Sequence, residues 1–331
     1  MERIKLGVIG VGHLGKYHAA LAAEISMIQL TGVFDIDERQ AEQVSAECRT
    51  TPFTEMEELL ARVDAVSIVV PTSEHFKVAM KALDHDCHLF IEKPITSTVN
   101  EARQLIEKAE HTNKKVQVGH IERFNPAMLA VKDYTLAPMF IEAHRLNPFN
   151  PRGCDVSVVL DLMIHDLDLI LYMVKSRVVH TDACGVAVVS DTEDIANVRL
   201  KFESGCVANL TSSRIALNPM RRMRLFQKNQ YIAMDFMEKK SDIFFLQEHP
   251  GLKPDKPSAM LVSRIGVGDK ARAIFHQKPD PPQVNSLKME LQEFARAVIH
   301  DLKPEVPGEQ GMQALEVANE ILEKIARPQG G

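Results

Sequence analysis

Through the first third of the chain, short apolar runs alternate with stretches whose apolar residues recur every three or four positions. Ile4 to Ile9, Ile28 to Phe34, Ala65 to Val70, His88 to Glu92 and Lys115 to Gly119 read as buried strands. Lys16 to Glu24, Glu38 to Cys48, Met56 to Arg62, His75 to His85 and Val99 to His111 carry the spacing of helices. Strands separated by helices predict βαβ units, an α/β domain built on a parallel sheet.

After about residue 122 the texture changes. Met139 to Arg145, Val178 to Val189, Ile195 to Phe202, Cys206 to Arg214, Met223 to Gln227, Tyr231 to Phe236 and Ile243 to Leu246 read as strands. Glu203-Ser204-Gly205 and Lys228-Asn229-Gln230 are short polar links suited to hairpins. One helix, about Val156 to Val174, interrupts them. Residues 248–283, with six prolines, read as an irregular excursion, and helices near Ser286 to Leu302 and Gly308 to Ala326 finish the chain. The pattern predicts two domains. Residues 1–122 form the parallel α/β domain, and 123–331 an α+β domain with a largely antiparallel open sheet. That sheet is expected to pair subunits into a homodimer or homotetramer through an outer face carrying Val186, Val188, Val198, Leu200, Val207 and Leu210.

A length of 331 residues suits two domains at about 150 residues each. The formal charge of −6 argues against a nucleic-acid partner, whose phosphates usually call for a basic domain. No apolar run approaches the roughly 18 residues of a membrane span. Met1-Glu2-Arg3-Ile4-Lys5 leads straight into a strand without a signal-peptide pattern, so a cytoplasmic protein is expected. Cys48, Cys87, Cys154, Cys184 and Cys206 are scattered, with no C-x-x-C pair, and fit reduced thiols better than disulfides or zinc.

Gly10-Val11-Gly12-His13-Leu14-Gly15 is a G-x-G-x-x-G between a strand and a helix, with Asp35 at the end of the next strand. That context is the Rossmann dinucleotide fingerprint. Gly10 makes the tight turn, Gly12 admits the pyrophosphate, and Gly15 lets helix and strand pack closely. His13 and Leu14 lie within the fingerprint, at the helix N-terminus that faces phosphates. Asp35 would accept from ribose hydroxyls and repel a 2′-phosphate, favouring NAD over NADP, although Arg39 nearby could accommodate one. Ligands in such sheets bind beyond the carboxyl ends of the strands. Pro71, Thr72, Glu92 and Lys93 follow two of those ends, and Lys93, locked by Pro94, stands where the nicotinamide should lie.

Asp161, His165 and Asp168 fall at i, i+4 and i+7 in an apolar helical stretch and so share one face. Charged groups on a buried stripe are costly unless paired or used. A metal site, a hydrogen-bonded structural cluster and acid–base chemistry are each compatible, and no further metal ligand is evident. The fingerprint, Glu92-Lys93-Pro94, this aspartate–histidine set and Pro304-Glu305-Val306-Pro307-Gly308-Glu309-Gln310-Gly311 before a helix together resemble the Gfo/Idh/MocA family of glucose-fructose oxidoreductases and inositol dehydrogenases. The resemblance covers nearly the whole chain.

It implies an NAD-dependent dehydrogenase acting on a secondary hydroxyl of a sugar, with Lys93, Asp161 and His165 as the catalytic set, Asp168 as a helper and no metal. Ser157-Val158-Val159 departs from the glycines that often precede the aspartate. Gly119-His120-Ile121-Glu122-Arg123-Phe124-Asn125-Pro126 is similar to members acting on UDP-N-acetylhexosamines, which implies a nucleotide sugar such as UDP-N-acetylglucosamine, oxidised at C3. Arg123 and Arg145 are then expected to contact substrate, with Arg152, Arg214, Arg221, Arg222 and Arg224 as further arginines for a diphosphate; a structural hinge at Arg123-Phe124-Asn125-Pro126 and solvated strand positions for most of these arginines are the alternatives. A free sugar or inositol as substrate, or a non-catalytic NAD and sugar sensor, are the alternatives.

Overall fold

The computed structural model describes residues 3–150, 156–248, 258–266 and 271–326, so Cys154, Arg152 and the prolines at 250, 254 and 257 lie outside the described residues. The first sheet contains β1 (Ile4–Ile9), β2 (Ile28–Phe34), β3 (Thr51–Phe53), β4 (Ala65–Ile68), β5 (His88–Glu92) and β6 (Val116–Gly119). All neighbours are parallel, in the order β3-β2-β1-β4-β5-β6. Between the strands run α1 (Gly15–Glu24), α2 (Glu38–Cys48), α3 (Met56–Leu60), α4 (Thr72–Asp84) and α5 (Val99–His111). The strand order reverses between β1 and β4, which makes their carboxyl ends the place for a ligand.

After a 3-10 turn at Ile121–Phe124 and the short α6 (Pro126–Leu129), the second sheet begins with β7 (Phe140–Leu146). It continues with β8 (Val178–Val186), β9 (Ile195–Phe202), β10 (Val207–Ser213), β11 (Met220–Gln227) and β12 (Gln230–Asp235). Last come β13 (Lys240–Glu248), β14 (Met260–Ile265) and β15 (Arg272–Gln277). The order is β14-β15-β13-β12-β11-β7-β10-β9-β8, and only β7 and β10 pair in parallel. Between β7 and β8, a π-helical turn at Val159–Met163 runs into α7 (Ile164–Val174). Thus the α/β architecture with a mostly antiparallel second sheet is as expected, while the excursion at 248–283 contains two strands. Proline density concealed them; the alternation of Ala273, Phe275 and Gln277 on the buried side is the strand signal.

The inner face of the second sheet buries Ile141, Ala143, Val198, Leu200, Ala208, Leu210, Met223, Leu225 and Ile232. Three residues expected on the outer face, Val198, Leu200 and Leu210, therefore point inward. The outer face carries aromatic rings instead. Strand alternation leaves only one parity for the core, and these valines and leucines occupy it.

The chain closes with α8 (Ser286–Ile299) and α9 (Gly308–Ala326). Contacts group it into two units, Met1–Ile121 with Val284–Glu316 and Glu122–Gln283 with the chain from Val317 onward. The sequence reading assigned everything after residue 122 to one domain; the structure returns α8 to the first unit. The cause is a shared apolar cluster in which Leu291, Phe294 and Ala295 pack with Ile4, Leu6, Ile28 and Phe90. Phe90 and Phe294 meet edge to face at 5.8 Å.

One half-buried imidazole, His88, makes the first unit sensitive to acid. His88 accepts the Lys115 N–H on Nδ1 at 3.0 Å, which requires the neutral ring. Burial, reinforced by the charges of Lys114 and Lys115, lowers its pKa from 6.5 to about 4. The unfolded chain therefore takes up a proton below about pH 6.5 that the folded chain resists until about pH 4. This contribution is complete above that window and is lost as the pH falls through it. His88→Gln, whose amide oxygen can accept the same N–H, should flatten the fall of the urea midpoint between those pH values. An unchanged fall would remove His88 from the account.

Candidate active site

The fingerprint turn is shaped by what cannot fit there. Gly10 has φ +83°, and a Cβ on it would lie 2.8 Å from the Val69 carbonyl oxygen. A Cβ on Gly15 would stand 1.9 Å from the Gly10 carbonyl oxygen, whereas one on Gly12 meets nothing within 4 Å. The turn is thus closed on its inner side and open at Gly12. Leu14 at the start of α1 gives the helix no side-chain cap, while Asp37 caps α2 and Thr98 caps α5. Uncapped N–H groups beside an open glycine suit a pyrophosphate. His13 and Leu14 are exposed at that end.

Asp35 accepts from the Val11 N–H on Oδ2 (2.7 Å) and from the Asp37 N–H on Oδ1 (3.0 Å), which fixes its carboxylate against the turn. A cleft of about 490 Å³ opens there, lined by Gly10, Gly12, Asp35, Met56, Val70 and Pro71 among others. Ile36, 94% exposed, stands on the same cleft. Sequence reasoning passed over Ile36, although a residue directly after the strand-end carboxylate is the natural wall for an adenine. Asp37 and Glu38 add negative charge where a 2′-phosphate would sit. Among the described residues no cluster of side chains is arranged to hold a metal ion.

Beyond β5, Glu92 and Lys93 are half-buried, and the Lys93–Pro94 bond is cis. Thr72 opens α4 directly after Pro71. Two buried histidines that the sequence reading missed surround this turn. His18 lies 3.2 Å from Glu92 Oε1 and 2.9 Å from Ser67 Oγ. The ring nitrogens of His75 lie 2.8 Å from the Pro94 carbonyl oxygen and 3.0 Å from that of Val70. The signal was present, for His18 shares a stripe with Gly15, Ala19 and Ala22, and His75 with Val78, Ala79 and Ala82. A histidine at buried helical spacing needs a partner.

In the second unit, Asp161 sits in the π-helical turn and His165 one turn later, both half-buried. Turns of this kind recur at functional sites. Asp168 is buried and bidentate with Arg123, Nε to Oδ2 at 2.8 Å and Nη2 to Oδ1 at 2.5 Å. The same guanidinium lies 4.5 Å from the Tyr172 ring centroid. Asp166, not singled out from the sequence, forks onto Arg145 at 3.0 and 2.8 Å. Arg145 also reaches Glu122 Oε1 at 2.8 Å. Burial opposes its charge, but Asp166 and Glu122 outweigh burial and raise its pKa.

Arg123 and Arg145, expected to contact substrate, are each paired with buried carboxylates. Both are at most 5% exposed and hold α7 to neighbouring segments. Strand parity carried the hint, since Arg145 alternates with the buried Ile141 and Ala143. The other described arginines of that set are also engaged. Arg222 meets Asp235 at 2.7 Å, Arg224 meets Glu142 at 3.1 Å, Arg221 lies 3.9 Å from Glu122, and Arg214 bonds the Val156 carbonyl.

Breaking the Arg123–Asp168 pair from one side should be costly. Arg123→Met leaves a buried carboxylate uncompensated and should lower unfolding free energy by about 3–5 kcal/mol. Adding Asp168→Leu should recover most of that loss. Urea denaturation of the two single changes and the double change measures the coupling, and additive losses would show that the pair is not the anchor.

Two family models match the chain. One, described as an oxidoreductase family with an NAD-binding Rossmann fold, covers residues 4–120. The other, described as a GFO/IDH/MocA C-terminal domain, covers residues 137–232. The chain is similar to the UDP-N-acetylglucosamine 3-dehydrogenase of Acidithiobacillus ferrooxidans, at 41% identity over 299 residues and 90% of each chain. A solved structure of a UDP-N-acetylglucosamine 3-dehydrogenase from that organism superposes with a TM-score of 0.87 at 36% identity, covering 98% of each chain. The scyllo-inositol 2-dehydrogenase (NAD(+)) of Bacillus subtilis is more distant. It is 28% identical over 234 residues, covering 64% of this chain and 68% of the relative.

Proposed function

The chain belongs to the Gfo/Idh/MocA family of NAD-binding oxidoreductases, and we propose that it oxidises the 3-hydroxyl of UDP-N-acetylglucosamine. The observation that carries the chemistry lies on the helix that begins at Val159. Asp166 and Asp168 are buried against arginines there, and Asp161 and His165 on the same helix are partly exposed. The sugar nucleotide is supported by the 41% identical relative that bears that activity in its name.

NAD, when bound along Gly10, Gly12, His13, Leu14, Gly15, Asp35, Pro71 and Thr72, supplies the hydride acceptor. His165 takes the proton from the sugar hydroxyl, the general-base role that an imidazole most often fills. Lys93 donates a hydrogen bond to the oxygen as negative charge builds on it, and Asp161 orients the imidazole and stabilises its protonated form. Lys93 belongs to the first unit and Asp161 and His165 to the second, so this reading requires both units to engage one substrate. Arg123 and Arg145 act through α7 rather than on the sugar.

Lys93→Ala and His165→Ala should each lower turnover of UDP-N-acetylglucosamine at least ~100-fold, followed as NADH absorbance. Calorimetry should find NAD binding nearly unchanged in both, and NAD tighter than NADP for the native chain. Near-normal rates in both variants would remove the assigned chemistry. A native protein that binds NAD and sugar but turns over neither nucleotide sugars nor free polyols would be a sensor.

We also read the outer face of the second sheet as the surface that pairs two copies of the chain. Phe140, Phe226, Tyr231, Phe244 and His276 stand directly opposite one another on five neighbouring strands. Their ring centroids follow at 5.8, 5.0, 5.8 and 4.3 Å. The next row alternates sign through Asp242, Arg224, Glu142, Arg199 and Asp182, a pattern that can complement its own copy. Light scattering at micromolar concentration should give at least a dimer, and Tyr231→Glu should shift it toward monomer. A native monomer would end this reading. The described cysteines, Cys48, Cys87, Cys184 and Cys206, are free thiols, which supports a reducing cytoplasm as the setting. Among the described residues no helix is long and apolar enough to cross a membrane.

A further inference from the structure

We propose that His18 and His75 are positioning residues that hold the Glu92–Lys93–Pro94 turn from two sides and so place the Lys93 amine. The proposal rests on the role given to Lys93 above. The main-chain ladder between β4 and β5 ends at the pair Ile68 and Ile91. Beyond that pair β4 and β5 no longer bond each other, although Glu92 still pairs with Gly119 of β6 and the Val69 N–H still donates to the Ile9 carbonyl; the loops that follow, Val70 to Pro71 and Lys93 to Pro94, must keep a fixed separation if they are to line one site. The two histidines supply that tie. The two ring nitrogens of His75 face the backbone carbonyls of Val70 and Pro94, one from each loop; burial lowers its pKa, so the neutral ring donates its one N–H to one carbonyl and packs against the other. His18 spans it through side chains, Ser67 on β4 and Glu92 on β5. One anchor falls on the residue before Lys93 and the other on the residue after it.

The burial of these groups distinguishes a tie from ordinary packing. His18 is 2% exposed, His75 1% and Ser67 0%. An imidazole taken out of water costs free energy that an aliphatic side chain of similar size would not, unless its nitrogens are met. Ser67, His18 and Glu92 have the composition of a nucleophile triad, but with Ser67 fully buried no reacting atom can reach it. The set serves orientation.

Glu92 is itself confined. Its Oε2 accepts the Lys93 N–H at 3.3 Å, and a Cβ on Gly119 of β6 would lie 2.8 Å from Oε1. The charged and titratable groups around Glu92 are His18 from α1, Lys93 beside it and His75 from α4. Burial opposes its charge, but the His18 hydrogen bond and the neighbouring positive charge outweigh burial and keep the carboxyl below its usual range. A fixed, ionised carboxylate then holds the Lys93 backbone on one side while the Pro94 carbonyl is held on the other.

The test uses His75→Leu and His18→Leu, with Ser67→Ala as a milder loss of the His18 tie and His75→Gln as the conservative replacement. Hydrogen exchange of the amides from Lys93 to Thr98 should accelerate at least about tenfold in the leucine variants, with the β1 and β2 amides unchanged. Turnover should fall about 10- to 100-fold, more than KM for the sugar rises, as a misplaced amine predicts. His75→Gln, which can still donate to a carbonyl, should recover at least half of the loss on a logarithmic scale. Unchanged exchange in the turn, or acceleration spread evenly over the first unit, would overturn the proposal. Faster exchange confined to the turn, in a protein that oxidises no sugar even in native form, would uphold the tie and sink the dehydrogenase reading instead.

Discussion

A charge removed from water has to be met by its opposite on the spot, and in the second unit that requirement organises the site. Glu122, Arg123, Arg145, Asp166 and Asp168 are all buried, and each has its counter-charge within hydrogen-bonding distance. The two guanidiniums reach α7 from different elements, one from the 3-10 turn after β6 and one from β7. A helix held by two forked pairs has little freedom to rotate, since each fork fixes direction as well as distance. Such pairs add little to stability compared with apolar replacements. Their contribution here is geometric, for they fix the rotation of the helix that carries the half-buried Asp161 and His165.

The first unit solves a different problem with similar means. Its strand-end loops run past the last β4–β5 pair, Ile68 and Ile91, so pairing between those two strands cannot shape them. Sterics at Gly10 and Gly15 shape one loop, and Asp35 braces it by accepting the Val11 N–H. Buried imidazoles brace the others. In both units the residues proposed for the chemistry stand beside polar groups that are buried and paired with one another.

Much of this was legible in the chain. Strand and helix periods located the elements of the first sheet nearly to the residue, because parallel strands buried on both faces leave dense apolar runs. Thr51–Phe53 was not visible, being three residues long with two of them exposed. The fingerprint carried its own meaning because its spacing is set by a phosphate and a turn. The arginines did not, since a lone arginine reads the same whether it awaits a ligand or answers a buried aspartate. Partners at positions 122, 145, 166 and 168 meet only through tertiary structure. The π-helical turn was equally hidden, as one extra residue in a turn changes hydrogen bonding without changing composition.

The return of α8 to the first unit bears on how the molecule is made. Phe90 in the middle of the first sheet completes its packing against Phe294, which the ribosome delivers only after the entire second sheet. The nascent Rossmann unit thus waits with an apolar patch over β1 and β5 exposed while nine more strands are synthesised beside it. Domains that finish early can fold as they emerge. This one must keep its place open for its own far end, and any chain cut short before residue 286 would present that patch to chaperones and proteases as an unfinished surface.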